Sequence, residues 1–318
     1  MTTRAAGDLS TPICTAIVGL GKVARHFHLP ALASMPEIEL VATIDPKCTA
    51  IAGVPAFTSL SEAFAQTADL QACVLCTPPR GRFKQACEAL DRGMHVFLEK
   101  PPAASVAEIH ALRQVSERTG ATLFASWHSS CAPSVEPARN WLQGRTVRSV
   151  RIYWEEDVRE WHRGQDWIFE RGGFGVFDPG INALSILTAI LSVPIFVDSA
   201  RLLIPANRHA PIGATVRLQT GDGTPILFEL DFLRAGAPRW DIVVETDTGV
   251  LQISERGFAM AIDGDPVTLG PEQEYRTLYS RFVDLVRAAR SDVDVRPLML
   301  VADAFLLADV TSIDPFHW

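Results

Sequence analysis

The feature that most constrains this chain is a glycine-punctuated turn near its start, set between an apolar run and a helical stretch. Ile13-Cys14-Thr15-Ala16-Ile17-Val18 reads as a short strand, and Gly19-Leu20-Gly21-Lys22-Val23-Ala24 follows at once. This is a G-x-G-x-x-G/A pattern with Ala24 in the third place. The first glycine permits a tight turn, the second lets backbone approach a pyrophosphate, and a small third residue lets helix and strand pack closely. The helix N-terminus then turns N–H groups and a positive dipole toward phosphate. Glycine pairs also occur in plain strand-to-helix turns, so context decides. Here Asp45 follows a second apolar run, ELVATI, 24 residues past Gly21, where an acid would accept hydrogen bonds from an adenine ribose.

The alternation continues to about residue 126. Strands are predicted at 13–18, 39–44, 72–76, 94–98 and 121–125, with helices at 22–34 (kinked at Pro30), near 61, at 82–92 and at 106–119. Runs apolar throughout, each followed by a helix, imply a parallel sheet covered on both faces. After Trp127 the rhythm changes. VRSVRIYW (147–154) alternates, and further strands are predicted at 196–204, 213–219, 225–232, 240–246, 249–254 and 258–262. Turns such as Gly221-Asp222-Gly223 and Asp263-Gly264-Asp265 separate several of them. Consecutive strands without helices imply a large, mostly antiparallel sheet, with one face solvated or used in self-association. The helix predicted over 272–290 places Tyr275, Leu278, Tyr279, Phe282, Leu285 and Val286 on one stripe, the pattern of core packing. The fold class is therefore α/β: a doubly wound Rossmann domain over 11–130, then an α+β domain for substrate binding and oligomerisation over 131–318.

Composition excludes several roles. Net charge is −8, so nucleic acid and anionic membranes are poor partners. The greasiest stretch, Ala183 to Val197, is interrupted by Ser185, Thr188, Ser192 and Pro194, and reads as a buried helix and turn. MTTRAAGDLSTP lacks the apolar run of a secretory peptide, which points to the cytoplasm. Cys73 and Cys76 form a CxxC, but on a strand residues three apart face opposite ways and cannot share a metal. The six cysteines, at 14, 48, 73, 76, 87 and 131, read as reduced thiols, and no metal site is expected among the histidines.

Three further segments carry a resemblance. Thr77-Pro78-Pro79 follows the third strand, Glu99-Lys100-Pro101-Pro102 follows the fourth, and GGFGVFDPGIN (172–182) lies in the second half. Together with GLGKVA, these resemble the glucose–fructose oxidoreductase/inositol dehydrogenase family of NAD(P)-dependent sugar dehydrogenases over nearly the whole chain. Within it, the stretch 154–185 is similar to the bacterial enzymes that oxidise L-arabinose and D-galactose at the anomeric carbon. The resemblance implies oxidation of an aldopyranose to its lactone with hydride transfer to NAD, and more weakly to NADP. The alternatives are a family dehydrogenase acting on a ring hydroxyl, and a non-catalytic sugar- or dinucleotide-sensing protein of the same fold. A small aldose, a homo-oligomer and a cytoplasmic setting complete the expectation.

Carried over residue by residue, the cofactor set is Gly19, Gly21, Lys22, Val23, Ala24, Asp45, Thr77, Pro78, Glu99 and Lys100. Lys100 is also the implied catalytic lysine, at the strand end where doubly wound folds bind ligands. Asp178 matches the family's second-domain aspartate. Four residues on, the broader family has histidine where this chain has Asn182, which cannot act as a base but suits a sugar hydroxyl. The proton acceptor is then Asp178 or a neutral Lys100: cationic nicotinamide favours a charged carboxylate and a neutral amine alike. Asp178 is preferred. Glu156 and His162 are the implied sugar ligands, set among Trp154, Trp161 and Trp167, while Glu155 and Asp166 are expected to be solvated. His128 has two readings, a contact to nicotinamide or sugar and a satisfied structural histidine. Arg82 stands where many relatives carry histidine, without an assigned role.

Overall fold

The computed structural model describes residues 11–47 and 51–318. Cys48 lies outside the described residues. The chain divides into two compact units. The first runs through Ser126 and also takes in Tyr275–Asp294, and the second comprises Trp127–Glu274 and Val295–Trp318. Local periodicity places one boundary after residue 130 and does not announce the return of Tyr275–Asp294.

Among the described residues the first unit holds six parallel strands: β1 (Ile13–Val18), β2 (Ile38–Ile44), β3 (Ala56–Phe57), β4 (Ala72–Leu75), β5 (His95–Leu98) and β6 (Leu123–Ala125). Their order is β3-β2-β1-β4-β5-β6, the doubly wound arrangement whose chain reversal falls between β1 and β4. The helices between them are α1 (Leu29–Ala33), α2 (Leu60–Gln66), α3 (Pro79–Asp91) and α4 (Val106–Thr119). At the start of α4 the Ser105 hydroxyl accepts the Glu108 N–H while Glu108 accepts the Ala104 N–H. Gly120, in the left-handed region, ends the helix. The helix expected over 22–34 is irregular before Pro30 rather than at it. Ala24–His28 form a π-turn closed by the Leu29 N–H on Ala24 O, and Pro30 falls in the first turn of α1, where its missing N–H costs little.

The second unit is built on α5 (Val135–Leu142), β7 (Val147–Glu155), α6 (Val158–Trp161), α7 (Phe177–Ile190), β8 (Ile195–Pro205), β9 (Gly213–Thr220), β10 (Pro225–Asp231), β11 (Arg239–Thr246), β12 (Val250–Ser254), β13 (Ala259–Ile262) and β14 (Asp265–Pro266). The chain then forms α8 (Glu274–Arg287), α9 (Arg296–Leu306) and β15 (Ala308–Ile313). Nine strands order as β14-β13-β12-β11-β7-β10-β9-β8-β15; β7–β10 and β8–β15 pair parallel and the rest antiparallel. On β7, Val150, Ile152 and Trp154 are buried and Arg151 exposed, as the alternation predicts. All of α7 except Ala189 is buried, between the sheet and the helices α5 and α9. A Cβ on Gly180 would sit 2.1 Å from Leu230 Cδ2, so α7 lies close against the β10 side chains at this point.

The stripe on α8 is core, with Leu278, Tyr279, Phe282 and Val283 buried. The segment after it runs parallel to β6: the Asp292 N–H donates to Leu123 O and the Ala125 N–H to Asp292 O, both at 3.0 Å. This covers an edge strand that would otherwise present unpaired backbone. Among the described residues no helix is long and apolar enough to cross a membrane.

Cys73 lies on β4 in the centre of the parallel sheet, and burial pushes its thiol up to about 12. Burial also holds Cys76 well above the ordinary range. Alkylation of the native protein at about pH 8 should therefore leave Cys73 unmodified by peptide mapping, with labelling only after denaturation. Native labelling at the rate of a small thiol would contradict this placement.

Candidate active site

The strand ends of the first unit collect the residues expected to hold a dinucleotide. Gly19 has φ +88°, and a Cβ there would lie 3.0 Å from Thr77 N. Its N–H donates to Ile44 O at 2.8 Å, so the turn after β1 is fixed to the end of β2 and packed on the end of β4. Ala24 is fully buried, as the close packing of the third motif position requires. Lys22 and Val23 lie in the exposed opening turn of the helix. Asp45 accepts the Leu20 N–H at 3.0 Å through one oxygen and the Lys47 N–H at 2.9 Å through the other. The carboxylate thus stands over the glycine turn, tied to it by backbone. The space beside Gly21 is open, with nothing within 4 Å of where a Cβ would be. An open glycine, a helix start and an acid at the end of β2 fit the pyrophosphate and ribose of NAD.

Beyond β4 and β5, Thr77 donates its hydroxyl to Gln85 Oε1 at 2.6 Å, and Pro78 is exposed ahead of α3. Lys100 is half-buried beyond β5, followed by a cis peptide to Pro101. Glu99, buried, accepts the Tyr275 hydroxyl at 2.8 Å, with His28 Nε2 at 3.3 Å from the same oxygen. His28, fully buried, meets the Tyr279 hydroxyl through Nδ1 at 2.6 Å. Burial pushes the Tyr279 phenol up, so it stays protonated. The sequence reads Tyr275 and Tyr279 as core packing only. Their hydroxyl partners lie 176 and 251 residues away, and no local pattern signals them.

In the second unit, Asp178 sits in the first turn of α7 and Asn182 one turn later, both buried and on the same helix face. At the end of β7, Glu156 is buried; its Oε2 accepts the Trp240 Nε1–H at 2.9 Å, and His162 Nε2 lies 3.9 Å from its Oε1. The structure therefore brings Glu156 and His162 together. Arg256, with φ +60°, lays its guanidinium 4.7 Å from the Trp240 ring and 5.4 Å from the Trp161 ring. Trp240 and Arg256 are absent from the sequence-based set. Trp240 opposes Trp154 across β11 and β7, a pairing that register alone creates. His128 Nδ1 lies 3.3 Å from Glu274 Oε2 and 3.2 Å from the Ser129 hydroxyl.

Two acids expected to be solvated are engaged. Glu155 pairs with Arg234. Asp166 accepts the Trp318 indole N–H at 2.9 Å and Arg208 Nη1 at 2.7 Å. Phe316 and Trp318 pack on Phe169, and the Asn207 side-chain amide donates to Phe316 O and accepts the Phe316 N–H, both at 2.9 Å. The last residues thereby strap down the loop that carries His162.

Comparison with known proteins bears on the family and the fold. Residues 13–126 match the Gfo/Idh/MocA model, described as an oxidoreductase family with an NAD-binding Rossmann fold. The chain is 40% identical to galactose 1-dehydrogenase of Pseudomonas fluorescens over 311 residues, 96% of this chain and 99% of that one. The crystal structure of D-galactose-1-dehydrogenase from Rhizobium etli superposes with a TM-score of 0.93 at 46% identity, covering 96% of this chain and 98% of that one. KijD10, a 3-ketoreductase from Actinomadura kijaniata solved with NADP and TDP-benzene, shares the fold: TM-score 0.83 at 17% identity, covering 95% and 100%.

The strap has a pH signature. The Trp318 N–H first, and Arg208 second, hold the Asp166 carboxyl below its ordinary 3.8. A lowered folded value contributes stability above the unfolded value and loses it as pH falls through the folded one. Asp166→Asn should therefore lower the urea midpoint at neutral pH, and the gap to wild type should close below about pH 3.8. A gap constant from about pH 7 to pH 3 would sink the assignment.

Proposed function

The chain belongs to the Gfo/Idh/MocA oxidoreductase family, and from that premise we propose that it oxidises the anomeric carbon of D-galactose and L-arabinose to the aldonolactone. The observation that carries the reading is the end-to-end likeness to galactose 1-dehydrogenase, 40% identical over 96% of this chain. NAD, when bound, accepts the hydride from C1. The protein's part is orientation, electrostatics and the proton.

In this reading Gly19, Gly21 and the turn Lys22-Val23-Ala24 receive the pyrophosphate, Asp45 the adenine ribose, and Thr77, Pro78 and Glu99 border the cofactor. Lys100 donates a hydrogen bond to the C1 oxygen and stabilises negative charge developing there. Asp178 takes the C1 hydroxyl proton. Asn182 holds a sugar hydroxyl, since its amide can donate and accept but not act as a base. Glu156, with one oxygen fixed by Trp240, and His162 bind further hydroxyls, and aromatic faces suit the C–H face of a pyranose. His128 joins this set as a sugar contact. The protein acts in the cytoplasm as a homo-oligomer.

Asp45 also sets cofactor choice. A carboxylate there binds the ribose 2′-hydroxyl and repels a 2′-phosphate, by up to ~4 kcal/mol for a pair at ~4 Å in an effective dielectric near 20. Lys47 contacts Asp45 through its backbone N–H. Nicotinamide reduction, followed by absorbance across an aldose panel, should give the highest kcat/KM with D-galactose and L-arabinose and should favour NAD over NADP. No turnover of any aldose would refute the activity, and equal rates with NADP would refute the role of Asp45.

A variant pair tests the base. Asp178→Asn should lower kcat by about 10²–10⁴ with little change in KM. Asn182→Ala should mainly raise KM. A near-normal kcat and an unchanged pH–rate profile in Asp178→Asn would assign the proton elsewhere.

A further inference from the structure

Arg82 is buried in the first unit at 2% exposure, an unusual place for a guanidinium. It stands where α3 becomes regular, after the non-helical Arg80 and Gly81, and its side chain turns back beneath the strand ends. Nε donates to Thr77 O at 3.0 Å, and Nη2 donates to the same oxygen. Nη1 donates to two carbonyls, Glu99 O and Pro101 O. Those two residues flank Lys100. One planar, rigid donor set therefore ties the exit of β4 to the exit of β5 and holds the backbone on both sides of a single lysine.

We propose that Arg82 is the positioning residue of Lys100. The inference rests on the reading of Lys100 given above and adds a residue that acts only through it. A buried cation is costly unless its donors are satisfied, and here backbone carbonyls satisfy it. Fixing the carbonyls before and after Lys100 restricts the backbone from which its four-carbon stem departs. The Glu99 carboxylate is anchored from the other side by Tyr275 and His28. A flexible side chain rooted in a backbone held at these points starts each turnover from one place, and a misplacement of about 1 Å can cost 10²-fold in rate. Neither lysine nor histidine can replace the fork. An ammonium is a point donor on a flexible stem, and an imidazole has two N–H groups at most.

The test uses Arg82→His, Arg82→Lys and Arg82→Ala, with Lys100→Met as reference. The expected result is a fall in kcat of about 10- to 100-fold in all three Arg82 variants, with sugar KM and NAD dissociation constant within about threefold of wild type. Millimolar guanidinium should restore part of the Arg82→Ala turnover and none of the Lys100→Met turnover. Without cofactor, the rate at which methyl acetimidate amidinates Lys100, read by mass spectrometry, should change in Arg82→His. If Arg82→Ala fails to fold, Arg82→Lys decides on the same measurements. A kcat within threefold of wild type in Arg82→His would overturn the proposal. So would a parallel loss of kcat, sugar affinity and NAD affinity that tracks the fall in Tm, which is the mark of a purely structural residue. Normal turnover in Lys100→Met would instead remove the reading of Lys100 on which the proposal stands.

Discussion

Where parallel strands stop, the backbone groups beyond the ladder still need partners, and in the first unit that demand governs the architecture of the strand ends. β1 leaves through Gly19, which gives its N–H to Ile44 O and packs within a Cβ's reach of Thr77. The next N–H, on Leu20, goes to Asp45. The carbonyls of Thr77, Glu99 and Pro101 go to Arg82. One glycine, one carboxylate and one guanidinium thus hold the exits of four strands. The glycine acts through its backbone N–H and its left-handed φ, and neither the carboxylate nor the guanidinium could be apolar, so the edge stays polar while remaining ordered.

Behind that edge lies a layer the sheet could not supply from its own residues. Glu99 is a carboxylate at 4% exposure, tolerable only because donors reach it. The Tyr275 hydroxyl comes from α8, as does the Tyr279 hydroxyl that meets His28. The return of Tyr275–Asp294 to the first unit therefore completes a polar network as well as covering β6. Phe97 meets His28 edge-on and stacks on Tyr279, and Phe124 and Phe282 pack edge-on against Phe97, so the network rests on an aromatic layer.

The sequence shows what is local and misses what is not. The alternation of strands and helices, the glycine turn and the acid after β2 can be read directly, because each is set by neighbours within one strand–turn–helix unit. The pairing of Asp178 with Asn182 is legible for the same reason, since helical spacing alone puts them on one face. The strand β3 is two residues long, too short for periodicity to register. The helices α5 and α9 and the strand β15 are also absent from the sequence reading, although α5 buries Val135, Ala138 and Leu142 and α9 buries Leu298, Val301 and Ala304 at helical spacing. Arg82 could be recognised as unusual but not understood, because its partners lie on two loops that only the parallel pairing of β4 and β5 brings side by side. Trp240 and Arg256 are invisible for the same reason.

The acids of the second unit show how far composition can be trusted there. Glu155, Glu156, Asp157, Asp166 and Asp178 look alike in sequence, and solvation is the default for each. The structure separates them by what already holds their oxygens. Arg234 neutralises Glu155, and Asp157 caps α6 through the Arg159 N–H. Asp166 is held by Trp318 and Arg208, and its low proton affinity follows from those donors. Glu156 accepts from the neutral indole of Trp240, and the imidazole of His162 stands 3.9 Å away. An indole orients a carboxylate without cancelling its charge, whereas a guanidinium does both. A carboxylate oriented in this way offers acceptors that suit the hydroxyls of a sugar. The proposed sugar contact is therefore assigned to Glu156, and not to Glu155, whose carboxylate Arg234 already pairs.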